Sequence, residues 1–241
     1  MQLASCADWG VAPATVVFGV QMSVLKPIRE AAKSVVFKYT SLAAPRYPYN
    51  TEPIQLARLV DELERLKDVR GNVVEIGLAR GMTARFLCEH IRNQKLEDTL
   101  TYYAIDTFQS FTEEDLDYEV QKRGKPLFGL KAFDYNDYDV WKKNFADFKF
   151  VKVIKSDCSI VDYDALAPLK LSFLDVDLYL PTQKTLPKLY KATVSGGAIL
   201  VDDVKDNSIY DGAYQAYMEY CEELKVEPIF LGNKCGVIYK P

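Results

Sequence analysis

The chain has 241 residues, 49% hydrophobic and 27% charged, with a formal net charge of −4. This length and mix exclude a disordered or fibrous chain and suit a globular protein whose core needs no disulfide or metal staple. The acidic balance argues against a general nucleic-acid binder, which needs a basic face to displace phosphate counterions.

Near the start, Val11–Leu25 is apolar, but it contains Gln21 and no Lys or Arg precedes it. It is too short to span a bilayer and lacks the basic flank of a secretory signal, so a cytoplasmic protein without a membrane partner is expected. An amphipathic helix is predicted over about Val24–Tyr39. Pro45, Tyr47, Pro48 and Tyr49 then read as a stiff aromatic connector. Residues 1–50 are therefore expected to be a helical extension of a main domain spanning 51–241.

From Asn72 onward, short apolar runs alternate with helical patterns, the signature of a parallel sheet covered on both faces. The runs are Asn72–Ile76, Leu100–Ile105, Phe150–Ile154, Leu171–Val176 and Ala198–Val201. Helices are predicted over Thr83–Arg92, Asp137–Phe148, Thr182–Ala192 and Tyr210–Leu224. Two closing runs, Pro228–Leu231 and Cys235–Tyr239, flank Gly232-Asn233 and predict a hairpin with one antiparallel strand. The expected fold class is α/β, a doubly wound and mostly parallel sheet. Residues 107–136 fall where a strand-to-helix loop should take only a few residues, and they carry Phe108, Phe111, Tyr118, Phe128, Phe133 and Tyr135. A long aromatic insertion at the carboxyl end of a strand is expected to be a binding lid.

Five cysteines (Cys6, Cys88, Cys158, Cys221 and Cys235) lie far apart with no C-x-x-C pair, which suits a reducing compartment and neither a zinc knuckle nor a disulfide framework. The single histidine, His90, sits at the edge of a helix's apolar stripe near its C-terminal end. A structural or dipole partner is expected there rather than a base.

Three patterns carry chemistry. The first run ends in Glu75-Ile76-Gly77-Leu78-Ala79-Arg80-Gly81 and a helix opens at once. Gly77 permits a tight turn, and Gly81 permits close approach at a helix N-terminus that favours an anionic ligand. The pattern lacks the middle glycine of a dinucleotide loop and the Lys-Ser/Thr of a P-loop. The second run ends in Asp106, placed either to accept the two hydroxyls of a ribose or to cap the turn that follows. The third pattern is acidic: Asp175 and Asp177 end one run, and Asp202 and Asp203 end the next. Neighbouring parallel strands lie about 4.8 Å apart, so these acids should share one crevice. Carboxylates that close repel unless a cation joins them, and Lys205 is the one base near them in sequence. Oxygen ligands without His or Cys suit Mg²⁺ or Ca²⁺, with Mn²⁺ an alternative.

In order and spacing, E-I-G-L-A-R-G, I-D-T-F-Q-S-F, F-L-D-V-D-L-Y-L-P-T and S-G-G-A-I-L-V-D-D resemble the macrocin O-methyltransferase family over roughly Tyr49 to Val204. Members are class I, S-adenosylmethionine-dependent enzymes that methylate sugar hydroxyls in antibiotic biosynthesis. The resemblance implies a seven-stranded Rossmann-like sheet, a mobile lid, a Mg²⁺ site and a small-molecule hydroxyl acceptor, a saccharide. It places cofactor contacts at Glu75, Gly77, Gly81, Asp106 and Ser110, and an adenine contact at Asp157. It implies a metal held by Asp175, Asp202 and Asp203, and catalysis through Asp175 and Asp177, with Asp177 as general base. The motifs do not cover residues 1–45 or 112–136, where the acceptor would be defined, and a homo-oligomer is left open. Competing readings are a catechol-type metal-dependent O-methyltransferase, a non-catalytic nucleoside-binding module and a nicotinamide oxidoreductase. Asp-Asn is common in the catechol type where Asp202-Asp203 stands here.

Overall fold

The computed structural model describes residues 15–241, with side chains from Lys26 onward. Cys6 and the first residues of the Val11–Leu25 stretch lie outside the described residues. Helix α1 spans Thr15–Tyr39 and begins earlier than the predicted Val24. The amphipathic pattern is legible only once charges appear at Lys26, because the preceding stretch from Val11 carries none. Contacts divide the chain after Pro48, leaving Tyr49–Pro241 as a compact unit of its own.

In that unit, α2 (Pro53–Arg65) leads into β1 (Asn72–Ile76), α3 (Met82–Asn93) and β2 (Tyr102–Asp106). The insertion follows as α4 (Glu113–Gln121) and a 3₁₀ turn (Leu127–Leu130). Next come α5 (Tyr138–Asn144), β3 (Val151–Lys155), a second 3₁₀ turn (Cys158–Ile160) and β4 (Leu169–Leu174). The chain closes with α6 (Tyr179–Ala192), β5 (Thr193–Val201), α7 (Asp211–Leu224), β6 (Ile229–Leu231) and β7 (Cys235–Tyr239). The sheet has seven strands in the order β3-β2-β1-β4-β5-β7-β6. Strands β1 to β5 pair in parallel, and β7 runs antiparallel to both β5 and β6, as the closing hairpin predicted.

Side chains alternate between two cores. Val73, Tyr102, Ala104, Leu171, Phe173 and Leu200 pack with α2, α3 and α5 on one face. Val74, Ile76, Ile105, Leu174, Ile199 and Val201 pack with α6 and α7 on the other. Burial on both faces explains why the strands read as apolar runs without alternation.

Sequence and structure differ at three places that matter for the site. Pairing of β4 stops at Leu174, two residues before the predicted end, because the chain leaves the sheet at Asp175 and turns at Asp177, whose φ is +62°. The sequence pattern predicts no helix over 53–65 or 113–121, yet α2 and α4 form there. Both carry start signals: Pro53 stands at the first position of α2, and Thr112 caps α4 by accepting a hydrogen bond from Asp115 N at 3.2 Å. His90 lies in the last turn of α3, 3.0 Å from Glu64 of α2, which is the structural role expected of it. Cys88, Cys158, Cys221 and Cys235 are buried free thiols. Among the described residues no helix is long and apolar enough to cross a membrane.

Candidate active site

The strand order reverses between β1 and β4, and the carboxyl ends on either side of such a switch point form the crevice of a doubly wound sheet. Across that edge stand Asp157 after β3, Asp106 at the tip of β2, Gly77 after β1, Asp175 and Asp177 after β4, and Asp202 and Asp203 after β5. Left-handed non-glycine residues gather here: Ala79, Phe108, Ser110, Asp177 and Asp203 all have φ between +43° and +65°. Each such residue costs about 1–3 kcal/mol, and this kind of strain persists where surrounding contacts over-determine the backbone.

The glycines serve packing more directly than ligand approach. A Cβ on Gly77 would lie 1.6 Å from the Asp175 carbonyl oxygen, so β1 and β4 can diverge at this spacing only with glycine there. A Cβ on Gly81 would lie 2.7 Å from Trp141 Nε1 and 2.8 Å from the Phe145 ring, which are themselves stacked. Beneath the loop, Glu75 is 2% exposed and accepts hydrogen bonds from the Tyr102 hydroxyl and the Ala84 amide. Burial is the main cause that pushes its carboxyl up to about 8.

Asp106 braces the loops on both sides: one oxygen accepts from Leu78 N at 2.7 Å and the other from Phe108 N at 2.6 Å. Each carboxylate oxygen has a further lone pair, and the residue is half-buried, so the capping role and a ribose contact are compatible. Asp157 is also half-buried and caps its 3₁₀ turn through Ser159 N at 2.7 Å. Ser110 closes the neck of the insertion. Its hydroxyl donates to Ala132 O, and its carbonyl accepts from Thr107 Oγ1 at 2.7 Å.

The four acids after β4 and β5 are not equivalent. Single carboxylate oxygens of Asp175, Asp177 and Asp203 lie within 4.8 Å of one another. Asp202 is spoken for: one oxygen accepts from Gln55 Nε2 at 2.6 Å and the other from Lys234 Nζ at 2.7 Å. Lys234 also reaches Asp203 at 3.0 Å. The converging set is thus Asp175, Asp177 and Asp203, with Asp177 in the position expected of Asp202. The counter-charge comes from Lys234 on the β6–β7 hairpin rather than from Lys205. Burial first, then the charges of Asp202, Asp177 and Asp203, hold the Asp175 carboxyl well above the ordinary range. Burial, then the hydrogen bond to Asp203 and its charge, does the same to Asp177. Lys234 opposes both shifts but does not offset them. A partly buried group of hard oxygens, too close together to carry its negative charges unaided, fits a divalent cation such as Mg²⁺.

Gln55 and Lys234 escaped the sequence reading because each arrives from a distant element. The Gln55 carbonyl accepts Glu52 N at 2.7 Å at the start of α2, which points its amide at Asp202. Lys234 is delivered by a hairpin tip that Glu52 grips through Asn233 N at 2.9 Å and Asn233 Nδ2 at 2.7 Å. Tyr210 is the third such residue: burial first, then the charges of Asp177 and Asp203, push its phenol up, and the hydroxyl donates to Gly129 O of the insertion at 3.4 Å. Phe111 packs against Phe133 at 5.8 Å and against Tyr210 at 6.3 Å, and Phe128, 83% exposed, directly precedes Gly129, whose carbonyl the Tyr210 hydroxyl reaches. The insertion therefore puts an aromatic wall next to the acids.

A seven-stranded sheet in this order, a glycine turn after β1 and strand-tip acids on both sides of the switch point define a class I, Rossmann-like methyltransferase. A family model described as Macrocin-O-methyltransferase (TylF) matches residues 54–240, and the chain belongs to that family. It is an S-adenosylmethionine-dependent O-methyltransferase. Among solved structures, the O-methyltransferase NovP is 20% identical with a TM-score of 0.62, over 77% of this chain and 79% of that one. CalS11, a calicheamicin methyltransferase, is 14% identical with a TM-score of 0.64, over 99% of each chain. An apo structure of CalS11, described as a TDP-rhamnose 3'-O-methyltransferase, is 16% identical with a TM-score of 0.53, over 77% of this chain and 78% of that one. These likenesses show the fold. No curated protein matches the sequence significantly.

Proposed function

We propose that this enzyme methylates a hydroxyl of a sugar or glycosylated small molecule, with a divalent cation held by Asp175, Asp177 and Asp203. The observation that carries the reading is the convergence of those three carboxylates within 4.8 Å, on the acceptor side of the glycine turn and next to an aromatic wall. The match to the macrocin-O-methyltransferase family and the description of CalS11 as a TDP-rhamnose 3'-O-methyltransferase support a saccharide acceptor.

Asp106 and Asp157 are the proposed partners of the cofactor's ribose and adenine, with the Gly77–Gly81 turn between them and the acids. S-adenosylmethionine supplies an electrophilic methyl group with its own leaving group, so the protein's main task is alignment, worth about 7–11 kcal/mol when geometry is near attack. A divalent cation would supply the positive charge that lowers an alcohol's pKa. Asp177 is also the proposed proton acceptor: it would give the cation one carboxylate oxygen, and its second oxygen would take the proton from the hydroxyl. Asp202, neutralised by Lys234 and oriented by Gln55, holds the turn that presents Asp203. The aromatic wall of Phe111, Phe133 and Tyr210 offers apolar faces for a sugar ring, and closure of residues 127–136 over it would exclude water.

The test is calorimetry with S-adenosylhomocysteine and with NAD, each with and without Mg²⁺. It is joined by methyl transfer to TDP-rhamnose and other activated sugars after EDTA treatment and again after Mg²⁺ is restored. Tight binding of S-adenosylhomocysteine alone and Mg²⁺-dependent transfer are expected. Full activity in the metal-free enzyme would remove the cation from the mechanism, and transfer to catechols but not to sugars would overturn the acceptor class.

A further inference from the structure

The helix that follows Asp177 has no cap of its own. Leu178 stands at the N-cap of α6 and its side chain offers no oxygen to the free N–H groups there. The cap comes from the insertion, sixty residues upstream: Glu119 Oε1 accepts the Tyr179 N–H at 2.7 Å. Glu119 is 1% exposed, a costly position for a carboxylate unless it is paired. Its second oxygen accepts from Arg123 Nε at 2.8 Å, and Arg123 continues to Asp211 Oδ1 at 2.6 Å on the first residue of α7. Lys125 holds the other oxygen of Asp211 at 2.7 Å. The start of α7 in turn donates Ala213 N to the Asp177 carbonyl at 3.3 Å. The meeting point admits no side chain: a Cβ on Gly212 would lie 2.4 Å from Tyr179 N and 2.6 Å from Glu119 Oε1. Tyr118 stacks on Tyr179 at 5.3 Å and 8° and completes the seam.

Resting on the methyltransferase reading above, we propose that Glu119, clamped by Arg123, is a positioning residue that holds the Asp177-Leu178-Tyr179 turn and with it the left-handed conformation of Asp177. The insertion then has two parts with different work. Residues 113–125 are a docked brace for the acid cluster, and residues 127–136 join Phe111 and Tyr210 in the wall that faces the acceptor. An anionic cap on α6 is also favoured by the helix dipole, so the brace stabilises the helix end and the turn together.

The experiment compares full-length wild type with Glu119→Ala, Glu119→Gln and Arg123→Gln by amide hydrogen exchange, by Mn²⁺ titration and by calorimetry with S-adenosylhomocysteine. In Glu119→Ala, exchange across residues 176–182 should rise about tenfold and Mn²⁺ should bind about tenfold more weakly, the worth of one charge-assisted hydrogen bond. S-adenosylhomocysteine affinity should stay within about twofold, because the Gly77 turn and Asp106 share no partner with Glu119. Glu119→Gln keeps an oxygen for Tyr179 N but turns an amide NH₂ toward the Arg123 Nε–H, so it should restore only part of both effects. Arg123→Gln should move them in the same direction as Glu119→Ala, and it carries the test if that variant does not fold. Unchanged exchange across 176–182 would overturn the brace. So would a uniform loss of all three readouts that Glu119→Gln fails to rescue. If wild type binds no Mn²⁺, the cation reading fails by itself, while the exchange data still decide the brace.

Discussion

Replacing Glu75 with Gln should remove a pH dependence of stability that begins in the middle of the sheet. Glu75 is 2% exposed on β1, with the Tyr102 hydroxyl and the Ala84 amide as its partners. Burial raises its carboxyl from 4.5 to about 8, the Tyr102 hydrogen bond opposes the shift, and the charge of Asp106 adds to it. The folded value lies above the unfolded one, so the unfolded chain gives up its proton first as pH rises. The neutral side chain's contribution is therefore complete below about pH 4.5 and is lost as pH climbs through about 8. The interval corresponds to at most about 5 kcal/mol, a large share of the roughly 5–15 kcal/mol that stabilises a typical domain. Urea unfolding midpoints of wild type and Glu75→Gln, followed from about pH 5 to about pH 9, isolate this residue from the other acids. Wild type should lose stability relative to the variant across that range, leaving Glu75→Gln the more stable protein at the alkaline end. Parallel curves would show that Glu75 ionises without cost, and would refute the argument from burial.

Four further outcomes follow from the same geometry. Lys234→Met leaves Asp202, 2% exposed, with Gln55 alone, and should cost about 3 kcal/mol in urea unfolding; an unchanged midpoint would mean that Asp202 does not need the charge. Gly77→Ala drives a methyl group onto the Asp175 carbonyl, so it should yield no soluble folded protein; a normal circular dichroism melt would contradict the packing at the switch point. Asp106→Ala removes the acceptor of both Leu78 N and Phe108 N and should weaken S-adenosylhomocysteine by about 1–3 kcal/mol in calorimetry, whereas wild-type affinity would discard the ribose contact. Phe128→Ser should raise the KM for an active sugar acceptor and leave S-adenosylhomocysteine affinity alone; an unchanged KM would take the exposed ring out of the acceptor wall.

Local rules account for what the sequence by itself determined. Strands buried on both faces must be apolar runs, so β1 to β5 were legible, and Gly232-Asn233 between two such runs announced the antiparallel hairpin. The strand-tip acids and the glycine turn were legible as well, because the switch point requires them at the ends of particular runs. What only the tertiary structure decided is which acids face each other and what neutralises them. Spacing along the chain treats Asp202 and Asp203 alike. Successive residues at a strand end point in different directions, and this turns Asp202 toward Gln55 and Lys234 while Asp203 joins Asp175 and Asp177. Lys234 and Glu119 were invisible for a related reason. A buried charge takes whatever partner the fold brings within about 3 Å, and neither a lysine on a hairpin tip nor a glutamate in an insertion helix carries any local sign of the partner it will meet.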